Sequence, residues 1–325
     1  MTLEEIETKE QCPPILFVIF NRPDLTQQVF ARIQEVKPAQ LFVAADGPRD
    51  NHPDDMKLCV ETRRIIEQVD WPCEIHTMFR ETNLGCRKGV SLAIDWFFEN
   101  VESGIILEDD CLPDLTFFHY CTELLSRYKN DERIMVISGD NFQQGIQRTQ
   151  YSYYYSHFPQ IWGWATWRRA WRYYDDEMSR WPELSNTSWL IDIHDNQLAA
   201  KYWCNIFNRT YRNEINSWGY RWLYSCWVQG GLSVSPEVNL VSNIGFDLRA
   251  THTKSFNRKM ANLPAMTMQF PLRHPPSVVR QIAADQFTLQ TLYLPLPPPS
   301  LYRRAVRKIK NSVRKIAIKI GVVAH

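Results

Sequence analysis

A chain of 325 residues that is 44% hydrophobic and 13% aromatic carries enough apolar material for a sizeable core, which excludes an intrinsically disordered protein. Its 37 basic and 36 acidic residues leave a formal charge of +1, so nothing global points to a nucleic-acid partner. The eight cysteines contain no CxxC pair, which argues against a structural zinc site and a small disulfide scaffold and predicts free, mostly buried thiols.

The N-terminus, "MTLEEIETKEQC", is acidic, and the apolar segment after it runs only about seven residues before Asn21 and Arg22. That pattern is neither a signal peptide nor a spanning helix, and it predicts a cytoplasmic protein in a reducing compartment. "PILFVIFN" is a continuous apolar run of the kind found in a strand covered on both faces, and "PDLTQQVFARIQEV" places Leu25, Val29, Phe30, Ile33 and Val36 at helical spacing. "QLFVAADGP" repeats the strand signal, "MKLCVETRRIIEQV" the helix, "CEIHTMFR" the strand, "RKGVSLAIDWFFENV" the helix, and "SGIILEDD" closes as a fourth strand. Alternation of this kind predicts an α/β fold, a Rossmann-like, mostly parallel sheet with helices on both faces.

In such sheets ligands bind beyond the carboxyl ends of the strands. Polar clusters fall there four times: Asn21-Arg22-Pro23, Asp46-Gly47-Pro48, "NLGCR" from Asn83 to Arg87, and the triplet Glu108-Asp109-Asp110. After the helical "LTFFHYCTELLSRYKND" and the strand "RIMVISGDN", six tryptophans (162, 164, 167, 171, 181 and 189) crowd one segment. Trp and Tyr suit either a groove for a sugar or the core of a smaller subdomain. "RNEINSWGYRWLYSCWVQGG" reads as a helix ending at Gly230-Gly231, followed by short strands.

From residue 295 the chain changes character. "PLPPPS" is a stiff spacer, and the last 25 residues carry eight Lys and Arg with Val306, Ile309, Val313, Ile316 and Ile320 at helical spacing and no acidic residue. A basic amphipathic helix of this type lies on an anionic membrane surface, each basic residue contributing about 1 kcal/mol, so peripheral attachment to the inner face of the membrane is one expectation and a solvated or oligomerising tail the other. The expected organisation is 12–145 for a nucleotide-sugar-binding half, 146–294 for an acceptor-side half of the same domain, and 295–325 for linker and tail.

Three adjacent carboxylates repel one another unless a partner of opposite charge joins them. Mg²⁺ or Mn²⁺ meets that need, since it takes oxygen ligands and keeps waters and substrate phosphates in its shell, so one or two protein carboxylates suffice. Strand alternation would turn Glu108 and Asp110 one way and Asp109 the other, leaving Asp110 to the metal and Asp109 to a ribose or sugar. Arg22 and Arg87 would add donors for a diphosphate, and Asp46 an acceptor for a base or ribose.

"IILEDDCLPDLTFFHYC" resembles the metal-binding motif of GT-A fold glycosyltransferases, in particular the N-acetylglucosaminyltransferase-I-like group, and "HFPQIWGWATWRRAW" is similar to that group's Phe-Pro-x-x-Gly-Trp segment. The resemblance runs from about Pro14 to His252 and looks best for bacterial haemolysin-like sugar transferases. It implies a metal-dependent, inverting transfer from a nucleotide-diphospho-sugar donor to a saccharide or lipid-linked acceptor, in bacterial surface polysaccharide synthesis. It implies Asp110 as metal ligand, Arg22 and Asp46 on the nucleotide, and the Phe158 to Trp164 segment beneath a sugar, with His252 at the metal or pyrophosphate; Arg87, Glu108, Asp109 and Trp164 are the further candidates for contact with the nucleotide-sugar. In that family the general base lies in a Trp-Asp-x-x-Trp element, and here Trp218-Gly219-Tyr220-Arg221-Trp222 has glycine instead. Glu214, Asp175 and Asp176 are the nearest carboxylates that could replace it.

Two other readings fit parts of the sequence. A non-catalytic carbohydrate-binding or membrane-associated protein needs only the aromatic segment and the tail. A metal-dependent nucleotidyltransferase or phosphohydrolase could use the triplet, but there is no GxxxxGK[ST] loop and no second dense acidic cluster.

Overall fold

In the computed structural model, residues 11–246 and 262–294 are described. His252 and the 295–325 linker and basic tail lie outside them. The first half alternates as its periodicity predicts: β1 (Ile15–Ile19), α1 (Pro23–Val36), β2 (Gln40–Ala45), α2 (Asp55–Arg64), β3 (Glu74–Phe79), α3 (Gly85–Asn100) and β4 (Ser103–Glu108). A short β5 (Cys111–Pro113), α4 (Leu115–Arg127), β6 (Ile134–Ser138), β7 (Tyr153–Ser156) and β8 (Trp164–Trp167) follow, then α5 (Gln197–Tyr211), α6 (Trp218–Val228), β9 (Leu232–Pro236), β10 (Val241–Asn243) and α7 (Ile282–Thr288).

Eight strands form one sheet in the order β3-β2-β1-β4-β8-β6-β9-β7. The pairs β1–β2, β1–β4, β2–β3 and β6–β9 are parallel, while β8 runs antiparallel between β4 and β6 and β7 runs antiparallel to β9. Because successive strand side chains point to opposite faces, each apolar run feeds two cores. Ile15, Phe17, Ile19, Leu41, Val43, Ile105 and Leu107 pack with Val29, Phe30 and Ile33 of α1 and Phe117 and Leu124 of α4. Leu16, Phe42, Ala44 and Ile106 face the other way, onto Val90, Ala93, Ile94 and Phe97 of α3. This is the predicted α/β architecture with helices on both faces, consistent with the GT-A fold that the sequence resemblance implies. β8 belongs to the 146–294 segment yet lies between strands of the first, so both segments share one sheet.

The tryptophan-rich segment is mostly core. Trp164, Trp167, Trp171 and Trp181 are buried, and Trp164 stacks on Trp218 with ring centroids 5.7 Å apart and packs at a tilt against Trp171 and Trp222. Such large flat rings fill the space between β8 and α6 that smaller residues would leave void. Trp164→Ala is expected to cost about 3–5 kcal/mol, read as a lowered midpoint in chemical denaturation. A loss below about 1 kcal/mol would mean that the ring is not the packing element it looks to be.

Candidate functional site

Strands on the two sides of β1 are reached in opposite directions: the chain goes from β1 to β2 on one side and returns to β4 on the other. The crevice between the carboxyl ends of β1 and β4 is therefore a topological switch point, where ligands of open α/β sheets sit. The parallel register pairs Val18 with Glu108, so residues 20–22 and 109–110 leave the sheet side by side. Sequence separation of 87 residues thus becomes direct contact between Arg22 and Asp109.

A cavity of about 280 Å³ opens there, just under the ~300–1,000 Å³ typical of ligand pockets. Arg22, Asp46, Glu108, Asp109 and Asp110 all line it, as do Phe20, Arg49, Arg80, Trp162 and Trp218. The chain leaves β4 in a turn at 109–110, so the strand alternation expected to separate Asp109 from its neighbours does not continue and all three carboxylates border the same space.

Arg22 caps the start of α1. Its carbonyl accepts from the Thr26 amide at 2.9 Å and the Thr26 hydroxyl at 2.8 Å, and Pro23 follows, which suits the first helical turn. Held this way, the side chain gives Nε to Asp109 at 3.3 Å and Nη2 to the other Asp109 oxygen, while the same Nη2 lies 3.0 Å from Asp110 Oδ2. Burial alone would disfavour the guanidinium, but Asp109 and Asp110 more than offset it and keep it firmly charged. Asp110 is fixed from behind. Its carbonyl accepts from the Ile244 amide at 2.8 Å, and Gly245 packs so closely on its carboxylate that a Cβ there would overlap it.

Among the described residues, Arg22 is the cation paired with Asp109 and Asp110, and the three adjacent carboxylates still repel one another. Burial first, then Asp110 and Asp109, push the Glu108 carboxyl up to about 8, with Arg22 pulling the other way. Burial likewise raises Asp109, with Arg22 opposing and Asp110 adding to it.

A proton held more tightly in the folded than the unfolded state makes stability fall as pH rises. For Glu108 that contribution is present below its ordinary 4.5 and lost as pH climbs through about 8. Burial lowers His194 from 6.5 to about 4, an effect of opposite sign that is complete above 6.5. In chelator, the melting temperature should therefore drop between pH 6.5 and 8, by roughly 2–4 °C for each kcal/mol, and Glu108→Gln should shrink the drop. An equal drop in the variant would show that Glu108 is not the group responsible.

The remaining expected residues sit as follows. Asp46 accepts from the amides of Gly47, Leu84 and Gly85, so its carboxylate caps the start of α3 and serves local structure as well as lining the cavity. Gly47 fits the same turn because a Cβ would overlap the backbone of Glu81 and Thr82. Arg87 is not in the cavity wall. It donates to both oxygens of Asp176, at 2.8 and 2.7 Å, and to Asn213. Asp176 also faces the buried Arg221, so Arg87 and Asp176 form a structural knot between α3 and α6. Asp175 accepts from the amides of Glu177 and Ser179, and Glu214 is exposed and paired with Arg209 and Arg212. Trp164 lies in the core, and the indoles that border the cavity are Trp162 and Trp218.

Arg49, Arg80 and Phe20 carried no sequence signal of their own, whereas Trp162 falls within the Phe158 to Trp164 segment expected beneath a sugar. Arg49 is held by two bonds to Asp55, at 2.7 and 3.0 Å, and lies over the Phe20 ring; Asn21 completes the Asp55 contact at 2.7 Å. Arg80 donates to the Gly89 carbonyl at 3.0 Å. The one available hint was position: Arg49 follows the Asp46-Gly47-Pro48 turn, and Arg80 follows β3.

The donor set suits a hard divalent cation in kind, since it offers carboxylate oxygens beside a cavity. Among the described residues no group of three or more His, Cys, Asp or Glu converges to hold a metal. An ion here would rely on Asp110, with Glu108 adjacent, and take its other ligands from water and phosphate.

No family model matches the sequence, and no curated protein does. Among solved structures, the mannosyltransferase PcManGT from Pyrobaculum calidifontis, in complex with GDP-Man and Mn2+, aligns over 50% of this chain and 49% of its own at 13% identity and a TM-score of 0.33. S. aureus TarS aligns over 70% of this chain and 59% of its own at 9% identity and 0.40. A 4-diphosphocytidyl-2C-methyl-D-erythritol synthase from Anaerococcus prevotii aligns over 57% and 86% at 11% identity and 0.30. The chain thus spans about half the length of the mannosyltransferase and under two thirds of TarS. The α/β assignment rests on strand order and packing. Among the described residues no helix is long and apolar enough to cross a membrane.

Proposed function

We propose that the protein is a nucleotide-sugar-dependent glycosyltransferase of the metal-assisted, inverting kind, with its donor site in the cavity beyond β1 and β4. The observation that carries this reading is the meeting of Arg22 with the Glu108-Asp109-Asp110 turn at the switch point of the sheet, in a cavity walled by aromatic rings. Phosphates need cationic donors, ribose and sugar hydroxyls need carboxylate acceptors, and a base or sugar ring needs flat apolar surface. All three occur there.

Asp110, with Glu108 beside it, would hold Mn²⁺ or Mg²⁺. When bound, such an ion offsets charge on a departing diphosphate. Arg80 and Arg22 would orient the phosphates, Asp109 would accept from a ribose or sugar hydroxyl, and Phe20 and Trp162 would exclude water from the flat parts of the donor. A saccharide acceptor, free or lipid-linked, would approach from the side of Ile161, Ser217 and Trp218, where Gly219 stands at the position of the family's general base. The basic segment beyond 295 would keep the enzyme at an anionic membrane surface near such acceptors, in surface polysaccharide synthesis.

Calorimetric titration with UDP and with GDP, in Mn²⁺ and in chelator, tests the donor site. Nucleotide binding that needs the metal supports the reading. Failure of both nucleotides in both conditions would sink it for these donors and leave a carbohydrate-binding protein, which the glycine at 219 also suits.

A further inference from the structure

We propose, on the transferase reading above, that Arg22 is a built-in counter-cation of the acidic turn, which a divalent ion has to displace from Asp110 before a diphosphate is held there. A single nitrogen, Nη2, serves Asp109 and Asp110 together, whereas Nε belongs to Asp109 alone. The contact to Asp110 is therefore the one that can be given up while Arg22 keeps a partner. Gly245 packs against the Asp110 carboxylate and restricts its turning away; among the described residues its other oxygen accepts from Asn243 Nδ2 and Cys111 Sγ, both at 3.5 Å.

A cation entering at Asp110 therefore meets a guanidinium, not open carboxylate. Arginine cannot lose its proton to make room, and its backbone is pinned at the N-cap of α1, so only a swing of the side chain relieves the repulsion. The freed Nη2–H groups then face the cavity, where phosphate oxygens can accept from them. Metal and nucleotide diphosphate consequently promote each other's binding, and by linkage each raises the other's affinity by the same factor.

Titration with Mn²⁺ alone, followed by calorimetry or by the paramagnetic signal of free Mn²⁺, compares wild type, Arg22→Gln and Arg22→Lys. Removing the charge is expected to tighten Mn²⁺ by about tenfold or more, an effect of order 1.4 kcal/mol. Arg22→Lys, which keeps the charge, should stay near wild type. Saturating UDP should tighten Mn²⁺ in the wild type and do so much less in Arg22→Gln. Equal Mn²⁺ affinity in wild type and Arg22→Gln, or no Mn²⁺ binding in either, overturns the proposal. Should Arg22→Gln fold poorly in chelator, its melting temperature still decides: the rise on adding Mn²⁺ should exceed that of wild type, and an equal rise is the overturning result. If UDP binds with metal but Arg22→Gln takes Mn²⁺ like wild type, the counter-cation idea falls and the transferase reading stands. If Arg22→Gln tightens Mn²⁺ but no nucleotide binds, the reverse holds.

Discussion

Asp110→Ala is expected to abolish Mn²⁺-dependent binding of UDP or GDP, a loss on the order of 100-fold or more. Truncating one member of a buried charged contact costs about 2–5 kcal/mol, and each 1.4 kcal/mol is tenfold. The fold should survive, because Arg22 retains both bonds to Asp109 and the backbone bond from the Ile244 amide to the Asp110 carbonyl does not involve the side chain. Glu108 is held up first by burial and then by Asp110 and Asp109, and removing Asp110 relieves the second of these causes. The variant should therefore melt no lower than wild type in chelator. Binding that persists unchanged in the variant would dismiss Asp110 as the metal residue while leaving the cavity a nucleotide site.

The second large effect is a gain. Gly219→Asp is expected to raise sugar transfer, measured by release of free nucleotide diphosphate with a saccharide acceptor, by about 10²- to 10⁴-fold, the usual contribution of a general base. The position accepts a side chain: a Cβ at Gly219 would lie 2.7 Å from Ile161 Cδ1, the free end of a flexible residue, and no backbone atom is near. Ile161, Ser217 and Trp218 line the cavity, so a carboxylate at 219 would stand at its edge. Gly219 is also in the first turn of α6, where an acidic residue is favoured by the exposed amides of the helix start. Rotation of Ile161 would relieve that contact. No change in transfer, with donor binding intact, would place the proton acceptor elsewhere or show that the chain binds donors without transferring. Glu214, Asp175 and Asp176 are poor substitutes, since all three are engaged away from the cavity.

Much of the site was legible because its signals are local. A carboxylate triplet directly after a buried run can only stand at a strand end, and Asn21-Arg22-Pro23 after "PILFVIF" can only begin the next helix. The parallel sheet then brings the two together, since adjacent strands that point the same way deliver their exits to one edge. Arg87 and Trp164 were misplaced for the opposite reason. Each stands in a suggestive sequence context, but whether a charged or aromatic side chain faces a cavity or a partner depends on what another segment presents to it. For Arg87 that partner is Asp176, 89 residues away. For Trp164 it is Trp218 and Trp222 of α6.

Sequence alone determined the layered α/β architecture, since hydrophobic periodicity and chain alternation are properties of neighbouring residues. It also determined the chemistry on offer at the sheet edge, because carboxylates, guanidinium groups and aromatic rings are present whatever the packing. Only the tertiary structure decided which of those groups are free to meet a ligand. It showed Arg22 already shared between Asp109 and Asp110, Asp46 already capping α3, and Trp162 at the cavity in place of Trp164. The physical reason is that a polar side chain taken out of water must find a partner, and the partners here arrive from segments far along the chain.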